Sequence, residues 1–222
     1  MEQMPERWTV EIGEAVLGHN ATLAAQNRRQ FQEAGLRVVN LVSSPGSGKT
    51  ALLERTLADI SGLIGVGVIV GDLETDNDAR RLRGKGAPVV QITTGGYCHL
   101  EADMVARAAD KLDLSALNLL IIENVGNLVC PAAYDLGEDT RVALLSVTEG
   151  EDKPLKYPVI FRNADIVIVT KMDLADAVGL DREALSLNLC RAAPQARVFE
   201  LSARTGVGMD AWYDYIREGC SV

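Results

Sequence analysis

Residues 43–50 read Ser-Ser-Pro-Gly-Ser-Gly-Lys-Thr, and few eight-residue stretches restrict a fold so strongly. The stretch follows an apolar run, residues 36–42, and opens onto Ala51-Leu52-Leu53-Glu54-Arg55, which reads as helix. Strand, glycine-rich loop and helix in that order form a phosphate-binding loop. Gly46, Ser47 and Gly48, with Ala51 in the first helical turn, let successive backbone N–H groups close around phosphates. The helix N-terminus adds its partial positive charge. Lys49 is placed to reach the β- and γ-phosphates of a nucleoside triphosphate, and the Thr50 hydroxyl to ligate Mg²⁺. The general pattern asks for Gly at position 43, where this chain has Ser, so the loop is expected to make its first turn around a side chain.

A chain of 222 residues suits one α/β domain with a continuous core. Its net charge of −9 disfavours nucleic acid or an anionic membrane as the main partner. No apolar run approaches a membrane span, and Met1-Glu2-Gln3-Met4-Pro5-Glu6-Arg7 lacks signal-peptide character. A cytoplasmic location is expected. There, Cys98, Cys130, Cys190 and Cys220 read as free thiols or metal ligands rather than disulfides.

Strand-like runs at 36–42, 66–71, 88–93, 117–122, 142–147, 166–170 and 197–201 alternate with helical segments at 50–60, 76–84, 100–112, 181–191 and 209–218. Continuous apolar runs such as Asn118-Leu119-Leu120-Ile121-Ile122 mark strands buried on both faces. The expected fold is α/β, a doubly wound and mostly parallel sheet whose ligands bind beyond the carboxyl ends of the strands. Residues 9–34 read as one or two helices, so residues 1–35 form an N-terminal helical extension and 36–222 the P-loop domain.

Glu123-Asn124-Val125-Gly126 follows the 117–122 run. An acidic residue there can hold Mg²⁺ or its water, and Gly126 lets a backbone N–H approach the γ-phosphate. Asp72 ends the 66–71 run and Asp78 lies in the switch-like segment after it. Either is a candidate to contact Mg²⁺, directly or through water, or to position the attacking water. Thr170-Lys171-Met172-Asp173 resembles the guanine-reading N-K-x-D, with Asp173 accepting from the base, Lys171 packing on it and Thr170 in place of Asn. Ser202-Ala203-Arg204-Thr205-Gly206 resembles the S-A-x-T-G that closes a guanine pocket. No arginine finger is evident, and Lys153 and Lys156 are candidates to reach across a dimer.

Cys98-His99 follows Gly95-Gly96-Tyr97 at the end of the 88–93 run, and Cys130-Pro131 lies just beyond Gly126. Two thiolates and an imidazole on the phosphate rim suit Zn²⁺ or Ni²⁺, with an exchangeable position or a second subunit completing the shell. Adjacent residues can share a metal only where the chain turns, and Gly95-Gly96 provides for such a turn. Cys190, in a helix, and Cys220, in the tail, read as structural.

Taken together, Ser44-Pro45-Gly46-Ser47-Gly48-Lys49-Thr50, Asp72 with Thr75-Asp76-Asn77-Asp78-Ala79, Gly95-Gly96-Tyr97-Cys98-His99-Leu100-Glu101-Ala102, Glu123-Asn124-Val125-Gly126-Asn127-Leu128-Val129-Cys130-Pro131 and Thr148-Glu149-Gly150-Glu151-Asp152-Lys153-Pro154 resemble the HypB family. These are GTPases of the SIMIBI type that assist nickel insertion into [NiFe] hydrogenase. The resemblance runs from about residue 27 to the C-terminus. It implies slow hydrolysis of GTP to GDP, a nucleotide- and metal-dependent homodimer with Ni²⁺ or Zn²⁺ at its interface, and a nickel-donating partner of the HypA type. It also implies action on the hydrogenase large subunit, directly or indirectly. Some members carry N-terminal cysteine or histidine-rich nickel motifs. The first 35 residues here hold no Cys and a single His, His19, so no separate nickel store is expected. Two alternatives stay open: a maturation GTPase serving urease or a cobalamin enzyme, and a small P-loop kinase, against which Thr170 to Asp173 argues.

Overall fold

Continuous rather than alternating apolar runs specify strands covered on both faces, and such runs make the centre of the sheet; the described residues form seven strands in all. They are β1 (Arg37–Ser43), β2 (Val66–Asp72), β3 (Val89–Thr93), β4 (Leu119–Glu123), β5 (Thr140–Ser146), β6 (Ile166–Thr170) and β7 (Arg197–Glu200). All pair in parallel, in the order β3-β2-β4-β1-β5-β6-β7. The computed structural model describes residues 7–74, 76–218 and 220, with side chains from Leu17 onward; Thr75 lies outside them.

Helices α1 (Arg7–Glu33), α2 (Lys49–Ile60), α3 (Asn77–Leu82), α4 (Ala102–Ala109), α5 (Lys153–Lys156), α6 (Pro158–Arg162), α7 (Arg182–Ala192) and α8 (Met209–Glu218) cover the two faces. One face packs Leu52 and Leu57 of α2, Leu82 of α3 and Trp212 of α8 against Leu41 and Val68. The other is shared by two clusters. Phe31 of α1 and Val105 of α4 sit on Val38, Ile69 and Leu120, and Phe161 of α6 and Leu185 of α7 sit on Val42 and Ala143. The doubly wound parallel architecture read from the sequence is therefore the one found.

The segment expected to form one or two helices at 9–34 is a single helix, α1. Its buried Asn20 and Asn27 bond the backbone of Ala102 from both sides: Asn20 Oδ1 accepts from the Ala102 N–H (2.9 Å) and Asn27 Nδ2 donates to its carbonyl (2.8 Å). The helix expected at 100–112 shortens to α4. The Leu100 N–H is taken by the Asn124 side chain and Glu101 is extended, so helical bonding starts only at Ala102. At the rim of the sheet formed by the amino ends of its strands, the guanidiniums of Arg37 and Arg197 lie 4.4 and 5.7 Å from the Tyr215 ring centre, and Arg197 lies 4.7 Å from that of Phe199. Among the described residues no helix is long and apolar enough to cross a membrane.

Candidate nucleotide and metal sites

Carboxyl ends of β1, β2 and β4 surround a cavity of about 400 Å³ lined by Gly46, Gly48, Lys49, Thr50, Ala51, Asp72, Asp78, Glu123 and Gly126 among others. Gly48, with φ +98°, caps α2 in a left-handed conformation that few L-residues adopt. Ser43 needs no such freedom, because it is the last residue of β1. Its buried hydroxyl donates to the Ser44 carbonyl (2.8 Å) and accepts from Lys49 Nζ (2.9 Å). The Ser at 43 thus ends the strand without distorting the loop. Burial lowers the Lys49 pKa, an effect that neighbouring carboxylates oppose and that phosphate charge would oppose further.

Thr50 Oγ1 donates to Glu123 Oε1 at 2.7 Å, while Glu123 Oε2 is buried without a hydrogen-bond partner. Burial pushes the Glu123 pKa up to about 7, the Thr50 bond and the Lys49 charge opposing it. A desolvated carboxylate with one orphaned oxygen beside a threonine hydroxyl fits a hard divalent cation. Asp72 and Asp78 line the same cavity but do not join Glu123 in a tight ligand cluster, an arrangement that suits contact through water.

The raised pKa carries a stability consequence with a definite sign. Folding raises the proton affinity of Glu123, so its contribution is fully present below about pH 4.5 and is lost as pH rises through about 7. Without nucleotide or Mg²⁺, Glu123→Gln should therefore gain on the wild type by up to about 3 kcal/mol between pH 5 and 8. Denaturant titrations at both pH values check this; a constant difference would rule out the ionisation.

Gly126 closes the cavity from the other side. A Cβ there would lie 3.1 Å from Pro45 Cα and 3.2 Å from Pro45 N, so the switch-like loop after β4 rests directly on the phosphate loop. Glu149, quoted in the sequence resemblance but given no role there, grips the phosphate loop too. Its carboxylate accepts from the Ser44 hydroxyl, from Ser47 Oγ (2.8 Å) and from the Ser146 N–H (2.9 Å). The readable signal was Ser146-x-x-Glu149, a capping box. Lys153, a candidate to reach across a dimer, is paired within its own chain to Glu149 (3.2 Å), and Lys156 to Asp152 (2.6 Å).

A second cavity of about 230 Å³ adjoins the first and brings together both segments expected to read the base: Gly48, Ala51, Thr170, Lys171, Asp173, Ser202 and Ala203 line it. Asp173 Oδ1 accepts from Ser202 Oγ at 2.6 Å. Thr170 takes over the bracing role of Asn, because its hydroxyl donates to the Ser47 carbonyl at 2.6 Å, and Lys171 Nζ donates to the Gly46 carbonyl at 2.7 Å. Asp173→Asn turns an acceptor that matches the guanine N1–H and N2–H into a partial donor. It should cut the preference for GTP over ATP by about 10–100-fold, the worth of a charge-assisted hydrogen bond. Competition binding measures the ratio, and an unchanged ratio removes Asp173 from base recognition.

On the same rim, Cys98, His99 and Cys130 place their donor atoms within 4.8 Å of one another. The sulfurs of Cys98 and Cys130 are 2.9 Å apart, and Cys98 Sγ is 3.9 Å from His99 Nδ1. The chain does turn after β3: Gly95 and Gly96 have φ of +63° and +109°, and the adjacent Cys98 and His99 thereby face one point. His99 is buried, stacked on Tyr134 at 3.9 Å, with Nε2 3.4 Å from Glu101 Oε1 but outside hydrogen-bonding geometry. Sulfur and imidazole donors held this way suit Ni²⁺ or Zn²⁺, with Glu101 positioned to orient the ring. Hydrogen bonding to Cys98, together with burial, raises the Cys130 thiol pKa, so metal must displace a proton there. Cys190 is exposed on α7 and Cys220 buried beside α8, both away from this trio.

Two asparagines, which the sequence reading gave no role, tie the metal loop to the loop after β4. Asn124 Oδ1 accepts from the Leu100 N–H (3.3 Å) and Asn127 Nδ2 donates to the Cys98 carbonyl (3.3 Å).

Residues 37–200 match the family described as CobW/HypB/UreG, nucleotide-binding domain. The chain is 51% identical over 207 residues to the hydrogenase maturation factor HypB of Azotobacter chroococcum mcd 1, covering 93% of this chain and 68% of that one. Among solved structures it is similar to HypB from Helicobacter pylori in complex with nickel, at TM-score 0.86 and 42% identity, over 90% of this chain and 94% of that chain. The signal recognition particle 54 kDa protein of Aeropyrum pernix K1 in complex with GDP shares the fold alone, at TM-score 0.58 and 19% identity, over 83% of this chain and 49% of that one.

Proposed function

We propose, since this chain belongs to the HypB family within the CobW/HypB/UreG nucleotide-binding proteins, that it hydrolyses GTP to gate the handling of nickel during [NiFe] hydrogenase maturation. The observation that carries this reading is a single short loop. Glu123 and Gly126 at its start touch Thr50 and Pro45 of the phosphate site, and Cys130 at its end touches Cys98 of the metal trio.

Lys49 and the backbone around Gly46 to Ala51 bind the phosphates, and Asp173, Lys171, Ser202 and Ala203 hold the base. Thr50 and Glu123, with Asp72 and Asp78 directly or through water, would hold Mg²⁺, which would supply charge neutralisation to the phosphates. Glu123 and Gly126 respond to the γ-phosphate, and the Asn124 and Asn127 bonds carry that response to Cys98 and His99. Nickel is the cargo of the trio and Zn²⁺ a competitor for the same donors. Two thiols and one imidazole leave the shell open, which suits a homodimer and exchange with a nickel-donating HypA-type protein and the hydrogenase large subunit in the cytoplasm.

Ni²⁺ and Zn²⁺ affinities should differ between the GDP and GTP-analogue states by about 5–150-fold, and each metal should change nucleotide affinity by the same factor. Metal titrations in both nucleotide states test this. Equal affinities would leave Cys130 a static ligand and hydrolysis without a role in delivery.

A further inference from the structure

No arginine finger is evident from the sequence, yet the fold carries an arginine into the phosphate cavity. Arg81 lies on α3, three positions after Asp78 and on the same helical face, and both line the cavity with Lys49, Thr50 and Asp72. Among the described residues lining it, Lys49 and Arg81 supply the positive charge, against Asp72, Asp78 and Glu123. A triphosphate entering there meets a carboxylate-rich wall, and Arg81 is the cation on the β2–α3 side of it.

In this structure the guanidinium is turned to α2. Arg81 Nη2 donates to Glu54 Oε2 at 2.9 Å, and Nη1 stands 3.8 Å from Asp78 Oδ1. Glu54 has a second cation, Lys85 Nζ at 3.1 Å, so it stays compensated when Arg81 leaves. The Arg81 side chain is 47% exposed, so it is not locked in place by packing on all sides. An exposed ion pair of this kind contributes little, whereas a guanidinium on phosphate oxygens makes charge-assisted, bidentate bonds.

We propose that Arg81 is a catalytic arginine supplied in cis: it exchanges Glu54 for the γ-phosphate oxygens of GTP and stabilises the charge that develops there during hydrolysis. Water oxygen bonds to the γ-phosphorus, the bridging oxygen leaves with its electron pair on GDP, and both water protons end on the released phosphate. The inference rests on the GTP-hydrolysis reading above.

Single-turnover hydrolysis and GDP affinity of the wild type, Arg81→Ala, Arg81→Lys and Glu54→Gln test it in the full chain. Arg81→Ala should hydrolyse GTP at least about 100-fold more slowly, the low side of what such arginines contribute, with GDP affinity within about threefold. Arg81→Lys should recover part of the loss. Glu54→Gln weakens the same ion pair without touching phosphate, and should hydrolyse at the wild-type rate or faster. Three results overturn the proposal: Arg81→Ala turning over within about threefold of the wild type, equal losses in Arg81→Ala and Glu54→Gln, or a parallel loss of GDP affinity in Arg81→Ala. A wild-type chain that hydrolyses no GTP overturns the underlying reading with it, and is distinguished by intact GDP binding without turnover.

Discussion

Lys49→Ala should lower GTP hydrolysis by about 100–1,000-fold. The side chain is buried at the floor of the phosphate cavity, and its Nζ is held by Ser43 Oγ at 2.9 Å. That bond holds the amine at the phosphate loop. Removing the cation takes away a charge that interacts with the carboxylates of Glu123, Asp78 and Asp72 alike. Preorganised charges of this sort are worth about 3–4 kcal/mol at the transition state. Single-turnover assays at saturating GTP separate this loss from weakened binding. Turnover within tenfold of the wild type would take the loop between β1 and α2 out of the chemistry.

The second large effect concerns the metal trio. Replacing Cys98 and Cys130 together by Ala should abolish stoichiometric Ni²⁺ and Zn²⁺ binding. One imidazole cannot hold either ion, and the loss must exceed the roughly 10–100-fold that removal of an outer partner costs. Glu101→Gln supplies that comparison, because its carboxylate lies 3.4 Å from His99 Nε2 and outside the trio. Equilibrium dialysis gives the stoichiometry. A double variant that keeps one metal per chain places the binding elsewhere. Nucleotide affinity in the absence of metal should be little changed, since Thr50 and Glu123 meet without either cysteine.

Much of this was legible before any coordinates. The apolar strands, Gly46 to Thr50, the two base-reading segments and the Cys-His-Cys trio all carry their chemistry in residue type and order. What was not legible depends on contacts between segments distant in sequence. Thr170 as a brace for the Ser47 carbonyl, Glu149 on the Ser44 hydroxyl and Arg81 at the phosphate cavity are each set by where two strands end relative to one another. The short helices α5 and α6 span four and five residues, too few for a periodic pattern to emerge. Ser43 shows the limit of pattern matching: the pattern expects a first turn at position 43, yet β1 extends through it and the hydroxyl holds the lysine.

Tyr215, Arg37 and Arg197 lie at the opposite end of the strands from every residue assigned to a ligand. The ligand-bearing loops and this arginine–aromatic cluster therefore occupy separate ends of one sheet, beyond the reach over which substitutions usually couple. Defects at the two ends should combine additively. A chain weakened at its ligand-bearing loops can regain stability through better packing around Tyr215, with its choice of nucleotide and metal unaltered.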